Sequence, residues 1–561
     1  MLKRRLAEIL SKALDNRLSG DEIAQLLEVP PDERLGDFAF PCFSLAKQLR
    51  RNPKDIALEL ASAVSAYPEI GKAAAVAGYL NIFVNPSWLC ETVLNDALDN
   101  AFGRGQMNEA TVVEYCSPNT NKPLHLGHLR NMAVGESVSR ILEFLGNQVH
   151  RTCVFNDRGV HICKSMIAYQ EFGNDRSPEE DGVKSDHFVG KFYVLFAKQT
   201  ESDDAYEKKA QDMLETWESG DEQTLALWRK MNGWALAGFR DTFKLVGIEF
   251  EKEFCESDIY KSGKEIILNG LSRGLFVRRD DGAVIADLGK YSLDEKVLLR
   301  ANGTSVYIVQ DIYLADLKSS IYSPNRSIYV VGNEQEYHFN ALKAVLDILG
   351  TTRATEIHHL SYGMVELPEG RMKSREGTVV DADELIMETA LLAEEEIKSR
   401  YELPTEETKA RALKIALAAI KYQLLRIETS KNMMFNPKEA IRFEGDTGPY
   451  LLYSYARASS ILRKADSAIS THAWDINLHE ARLLKKISRF PETVASAGSR
   501  LVPSLVASYT FELCQVFNQF FHECPVIRSN LAAQRLSLVQ AFREVAGHCL
   551  DLLGIEKIEE M

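Results

Sequence analysis

One stretch narrows the fold more than any other: the apolar, β-rich run TVVEYC (111–116), the turn SPNTNKP (117–123), and then HLRNMAVGESVSRILEFLG at helical spacing. Strand, loop and helix in that order form the repeating unit of a parallel sheet. HRTCVF, SVYIVQ and SIYVVG supply further short buried strands, with helical segments such as YHFNALKAVLDIL between them. Alternation of this kind predicts an α/β domain whose parallel sheet is covered by helices.

The chain's 561 residues exceed one compact core, so two to four domains are expected. Residues 1–105 open with helical periodicity, include LAKQLRRNPKDIALELASAV, and pass through the alternating AAVAGYLNIFVN, predicting a small α+β domain. Residues 106–385 form the α/β domain, with an insertion at about 166–289. That insertion is first charged and helix-forming, then contains VRRDDGAVIADL, a hairpin around Asp-Gly. From 386 to 561 heptad-like apolar spacing dominates, as in ARALKIALAAIKYQLLRI, so the last part is predicted to be an all-α helical bundle. No repeat of fixed period is present.

Composition excludes several classes. With 45% hydrophobic and 26% charged residues, and no apolar run near the roughly 18 residues a membrane span needs, a soluble protein without a membrane role is expected. The basic, amphipathic start MLKRRLAEILSKALDNRL reads as an ordinary surface helix, because Glu8 and Asp15 are out of place in a transit peptide. Nine cysteines without a CxxC pair indicate neither a zinc cage nor a disulfide framework, but reduced thiols in a cytosolic protein. The net charge of −14 has the wrong sign for coating nucleic acid, so any RNA contact must use local basic surface. On composition alone a metabolic enzyme is favoured.

His125-Leu126-Gly127-His128 falls where the first strand's loop enters its helix, at the carboxyl edge of the sheet, where nucleotides bind. Backbone N–H groups at a helix start attract phosphate, two imidazoles three residues apart can donate to it, and Gly127 lets an adenine approach the backbone. Four residues alone fit equally well a pair of histidines that cap or pack at a helix start. The full stretch from Val113 to Arg130, with Glu114, the Ser117-Pro118-Asn119 turn and Lys122 ahead of the histidines, is far more specific. It resembles the signature of the arginyl-tRNA synthetases. The resemblance extends to DIYKSGKEIILNGLSRGLF, LRANGTSVYIVQDI, GRMKSREGTVV and RFEGDTGPYLLYSYAR, touching every part of the chain.

The resemblance implies a Rossmann-like catalytic domain and an ATP-dependent ligation of arginine to the 3′ end of tRNA(Arg), through an adenylate. It also implies a second nucleotide element of the pattern K-M-S-K-S, whose cations neutralise departing pyrophosphate. Arg371-Met372-Lys373-Ser374-Arg375 matches in degenerate form, with arginine for the first lysine and Ser374 at the second; read alone, it is a solvated basic turn. In the family, Lys122 is expected to supply the missing charge.

A guanidinium is planar, permanently charged and best held by carboxylates. Glu114 lies within the first strand, and Asp311 is expected to close the strand SVYIVQ at the start of the next helix. A buried ion pair for Glu114 and an N-cap for Asp311 are the structural alternatives. By resemblance, arginine is bound by Glu114 with Asn119, Tyr307 with Asp311, and Gln335. No general base is required, Mg²⁺ rides on the phosphates without a protein cage, and no zinc is expected. Resemblance further implies that arginine activation requires bound tRNA.

For the RNA, Tyr450, Tyr453 and Arg457 share one helix face at i, i+3 and i+7. Aromatics with a cation suit unstacked bases, although such a stripe by itself is ordinary core. In the family this helix meets the anticodon loop, with the C-terminal Met561 contributing. Tyr79 and Asn81 alternate onto one strand face, where an exposed aromatic beside an amide could sandwich a flipped base or simply pack within its domain. The resemblance assigns this amino-terminal domain to the tRNA elbow, and a cytoplasmic monomer is expected. Three alternatives fit less well. A small-molecule nucleotidyltransferase leaves both flanking domains unexplained, and a catalytically dead RNA-binding relative should have lost pocket positions that are all present here. A synthetase for another amino acid does not need the paired carboxylates.

Overall fold

The computed structural model describes residues 2–200, 205–351, 353–368, 380–400, 402–466, 468–472 and 474–561. Strands β1 (Phe38–Pro41), β2 (Ile70–Val76) and β3 (Tyr79–Val84) form an antiparallel sheet in the order β1-β3-β2. Ala77 and Gly78 both take positive φ (51° and 90°) in the two-residue turn joining β2 to β3, as tight hairpins require. A side chain at Gly78 would meet the Phe43 ring at 2.7 Å, so glycine serves here twice over. The first helix, Leu2–Ala13, buries Leu2, Leu6 and Leu10 in the core, so the expected surface helix is an integral layer of the domain.

The main sheet is built from β4 (Ala110–Glu114), β5 (Gln148–Phe155), β6 (Lys252–Cys255), β10 (Arg326–Gly332) and β11 (Ile357–Tyr362). All its pairings are parallel, in the order β11-β10-β4-β5-β6. The chain winds outward from β4 in one direction and returns to its other side at β10. The carboxyl ends of β4 and β10 therefore flank the point where the winding reverses, which is where open α/β sheets leave a crevice for ligands. Between β6 and β10, β7 (Val277–Arg278), β8 (Val284–Ala286) and β9 (Lys296–Leu299) make a small antiparallel sheet that contains the expected Asp-Gly hairpin.

Five helices position the crevice: α1 (Leu126–Phe144), α2 (Ser185–Thr200), α3 (Glu222–Val246), α4 (Tyr307–Tyr322) and α5 (Glu336–Ile348). The expected strand SVYIVQ is instead the start of α4, with Val306 at its N-cap. Its β-branched residues suit a strand over six positions, but Ile308, Val309, Ile312 and Ala315 repeat at helical spacing and are buried together in one apolar cluster. Tertiary packing overrides local preference. Asp311 consequently lies in the second turn of a helix, four residues after Tyr307, and neither closes a strand nor caps.

The chain then becomes helical: α6 (Ala382–Arg400), α7 (Thr405–Arg426), α8 (Gly448–Arg463), α9 (Ser504–Glu523) and α10 (Ala532–Leu552). One short parallel pair, β12 (Val365–Glu366) with β13 (Met433–Met434), crosses from the α/β part to this bundle. Helix α1 spans the same boundary. It begins at the histidine motif and ends against α10, where Ser137 Oγ donates to Leu552 O (2.8 Å) and Arg140 Nη1 to Asp551 O (3.2 Å). Lys421 of α7 donates to Gly554 O at 2.5 Å, so the last carbonyls beyond α10 are satisfied from both sides. Among the described residues no helix is long and apolar enough to cross a membrane.

Candidate active site

His125 is the N-cap of α1, in extended conformation, and its Nδ1 accepts the Gly127 N–H at 3.1 Å. Reciprocally, His128 Nδ1 accepts the His125 N–H at 3.1 Å, and the two rings stand 3.9 Å apart. The capping arrangement read from the sequence is thus what the structure contains. Each ring caps the helix with Nδ1, which fixes the tautomer and leaves a proton on Nε2 available to a ligand. A side chain at Gly127 would lie 2.9 Å from His125 Cε1, so glycine is needed for the ring to fold back, apart from any adenine.

Burial and the nearby Lys122 charge, against the weaker pull of Asp381, lower the His125 pKa to about 4. Burial and then His125 lower that of His128 well below the ordinary value. Both rings are neutral donors throughout the physiological range. A pH titration followed by NMR is accordingly expected to show no midpoint between pH 6 and 8 for either of these two rings. A midpoint near 6.5 that disappears in His125→Asn would overturn this assignment. The linkage sign follows: the unfolded histidines take up protons below about pH 6.5 while the folded ones do not, so their contribution to stability falls as pH drops from there towards 4.

The candidate phosphate-loop residues Met372, Lys373, Ser374 and Arg375 lie outside the described residues. The chain just beyond them is anchored to the histidine motif: Leu126 N donates to Val380 O (2.9 Å) and Ala382 N to Leu124 O (3.0 Å). Lys122 is exposed, its Nζ 4.9 Å from the centroid of Tyr193.

At the end of β4, Glu114 is buried and ion-paired with Lys318 of α4. Burial works against the Lys318 charge, but Glu114 and Tyr329 outweigh it and raise the lysine pKa. The buried-pair alternative for Glu114 is therefore what the structure contains, and much of its charge is already committed. Asp311 accepts from His338 Nε2 at 2.6 Å and is partly exposed, while Tyr307, one turn earlier, is 72% exposed. Gln335 is exposed in the short turn leading into α5, and Asn119 bridges to Asn156 beside the β4 end. Strand β4, the turn after β10 and helix α4 thus bring these groups to the crevice.

On the helical side, Tyr450, Tyr453 and Arg457 form one hydrogen-bonded unit. Asn518 Nδ2 donates to Tyr450 Oη (3.0 Å), Arg457 Nη2 to Tyr453 Oη (2.9 Å), and Arg457 Nη1 to Asn518 Oδ1 (2.5 Å). The Arg457 guanidinium stacks over Tyr453 and over Phe521, which is 37% exposed. A groove of about 600 Å³ opens here, and Met561 lines it with Tyr453, Arg457, Arg463 and Lys464. In the first domain, Asn81 is only 5% exposed because β3 is the central strand, and Tyr79 packs edge-on against Phe43 at 5.3 Å. The expected open platform is an aromatic pair, with the exposed part supplied by Phe43, a residue that sequence reasoning did not single out.

Other residues were equally hidden. Arg130, fully buried, donates to the carbonyls of Gly363 (2.7 Å), Met364 (3.2 Å), Thr429 (3.1 Å) and Lys431 (2.8 Å), fastening the β12–β13 crossing to α1. Lys184 Nζ lies 2.5 Å from Asp383 Oδ2, and His187 Nε2 lies 3.1 Å from Asp381 and 3.4 Å from Asp383. Burial opposes the His187 charge, but these two aspartates and Asp186 prevail and raise its pKa to about 10. Apart from Asp186, none of these partners is near in sequence, so only the fold reveals them.

Three family models match the chain: "tRNA synthetases class I (R), catalytic domain" over residues 92–437, "DALR anticodon binding domain" over 451–561, and "Arginyl tRNA synthetase N terminal domain" over 2–84. The arginine–tRNA ligase of Treponema denticola is 44% identical, covering 95% of this chain and 94% of that protein. That of Treponema pallidum is 41% identical over 100% and 99%. The arginyl-tRNA synthetase structure from Thermus thermophilus superposes with a TM-score of 0.84, at 28% identity, over 100% of both chains.

Proposed function

The chain belongs to the arginyl-tRNA synthetases, and from that premise we propose that it activates L-arginine with ATP and esterifies it to the 3′ end of tRNA(Arg). An arginine carboxylate oxygen attacks the α-phosphorus of ATP and pyrophosphate leaves. The terminal ribose hydroxyl then attacks the adenylate carbonyl and AMP leaves. Neither step needs a nucleophilic side chain; both need positioning and charge stabilisation. The observation that carries this reading is the pair of neutral imidazoles with their Nδ1 atoms tied down, set at the crevice where the sheet winding reverses.

In this reading His125 and His128 donate Nε2–H to ATP, Gly127 gives the adenine room, and Lys122 adds charge near the triphosphate. Met372, Lys373, Ser374 and Arg375 serve the same phosphates. Asp311 with Tyr307 receives the guanidinium, and Glu114, Asn119 and Gln335 complete the arginine site. We place Mg²⁺ on the ATP phosphates. Among the described residues Asp186, His187 and Asp383 gather as a ligand set would, but the Lys184 ammonium already sits 2.5 Å from Asp383 and 3.4 Å from Asp186. Residues 1–105, 106–385 and 386–561 divide the work into elbow binding through Tyr79 and Asn81, catalysis, and anticodon binding through Tyr450, Tyr453, Arg457 and Met561. The protein is taken to act as a cytoplasmic monomer.

The deciding experiment is ATP–pyrophosphate exchange with each of the twenty amino acids, with and without tRNA. Exchange with arginine alone, and only when tRNA is present, is expected. Exchange with another amino acid, or with none, would reject the proposal. Lys122→Ala is expected to slow adenylate formation by about 10- to 100-fold while tRNA affinity stays within about twofold; an unchanged rate would remove Lys122 from the triphosphate site.

A further inference from the structure

Helix α2 of the insertion runs beside the turn that carries Lys122 and the histidines, and meets it along an i, i+3 row. Lys184, just before the helix, and His187 hold Asp383 and Asp381. Those aspartates belong to the segment whose backbone pairs with Leu124 and Leu126. One turn on, Gly190 packs so close to Pro123 that a side chain there would come within 2.7 Å of the proline ring. One further turn brings Tyr193, whose ring faces the Lys122 ammonium at 4.9 Å and whose hydroxyl is 3.4 Å from His161 Nδ1. The row therefore touches the turn at Pro123 and Lys122, and its partner segment at the two aspartates.

A lysine on an exposed turn has many rotamers, and a charge contributes to catalysis only if it is already where negative charge develops. An aromatic face beside the ammonium selects among those rotamers without neutralising the charge, as a carboxylate would. Among the described residues no acid is paired with Lys122, and its charge acts on both His125 and His161. The hydroxyl contact with His161 is exposed and long, so the ring face is what Lys122 meets and the hydroxyl is incidental to it.

We propose that Tyr193 is a positioning residue that holds Lys122 for adenylate formation, so that the inserted helix α2 acts as a brace for the nucleotide site. The inference rests on the assignment of Lys122 to the triphosphate, and the test separates the two. Single-turnover adenylate formation is measured on the full-length protein with ATP, arginine and tRNA. The variants are Tyr193→Phe, Tyr193→Leu, Tyr193→Met, Lys122→Ala and the doubles of Leu and Met with Lys122→Ala. Thermal midpoints are recorded alongside.

Tyr193→Phe, which keeps the π face, is expected to stay within about twofold of the parent. Tyr193→Leu and Tyr193→Met are expected to lose about fivefold in rate, with the KM for arginine unchanged and no further loss in the Lys122→Ala background. Equal losses with and without Lys122 would overturn the brace, leaving Tyr193 as packing. So would a loss in Tyr193→Phe matching that in Tyr193→Leu. A parental rate in Lys122→Ala would instead overturn the triphosphate assignment itself, and the brace with it.

Discussion

Replacing Asp311 with alanine is expected to raise the KM for arginine about a hundredfold, near 2.7 kcal/mol, while the KM for ATP stays within about twofold. The structure gives this aspartate more weight than the paired-carboxylate reading did. Glu114 is buried against Lys318, with Tyr329 beside it, so much of its charge is committed before any ligand arrives. Asp311 meets His338 through one oxygen only, on a helix face open to the crevice, with Tyr307 exposed one turn away. In the proposed function its second oxygen receives the guanidinium.

Truncation would also free His338 and put a histidine donor where a carboxylate had faced the cation. Steady-state exchange at varied arginine, in saturating ATP and tRNA, checks the expectation. Normal arginine affinity in Asp311→Ala would move recognition back to Glu114. Glu114→Gln cannot settle the matter alone, because it leaves the Lys318 ammonium buried without its counter-charge, a change that costs about 3–5 kcal/mol of stability.

The contrast between these two acids shows which parts of the molecule were legible in the chain. From Glu114 to Arg130 the strand, turn, capping histidines and helix are consecutive, so local geometry follows from local sequence. Of the five parallel strands, β4, β5 and β10 were legible as short, bounded apolar runs, while β6 and β11, shorter or interrupted by charged and histidine residues, were not. SVYIVQ misled because six residues rich in β-branched side chains do not reveal period 3.6; the helix becomes apparent only with Ile312, Ala315 and Lys318, whose faces are set by partners far away.

Asn81 was placed on the correct face of its strand, but its burial depends on β3 lying between two neighbours, which alternation alone does not tell. Lys318 with Glu114, Arg130 with its four carbonyls, and Lys184 and His187 with their aspartates all join segments remote in sequence. Charges of that kind look like solvated surface until a fold closes around them.

His128→Ala is expected to have the largest effect on the chemical step, lowering adenylate formation by about 10²- to 10³-fold, as loss of one preorganised donor does. Two things vanish at once: the Nε2 proton that the proposed role offers to ATP, and the Nδ1 acceptor of the His125 N–H that the structure shows. The second is a helix cap, and losing it costs about 1 kcal/mol, too little to unfold a chain whose α1 is anchored near its start by Leu126 and Arg130 and farther on by Ser137 and Arg140. His128→Asn separates the two effects, since its amide oxygen can accept the His125 N–H while its nitrogen stops short of where Nε2 stands. If the cap were all that mattered, His128→Asn would restore most of the rate. If donation to ATP is what counts, His128→Asn should recover thermal stability yet remain within about tenfold of His128→Ala in pyrophosphate exchange. Arginine KM should be unmoved in both, because the proposed guanidinium acceptors lie on α4 and β4 rather than on α1. A parental exchange rate in His128→Ala would take the histidine pair out of the nucleotide site and leave it a capping motif.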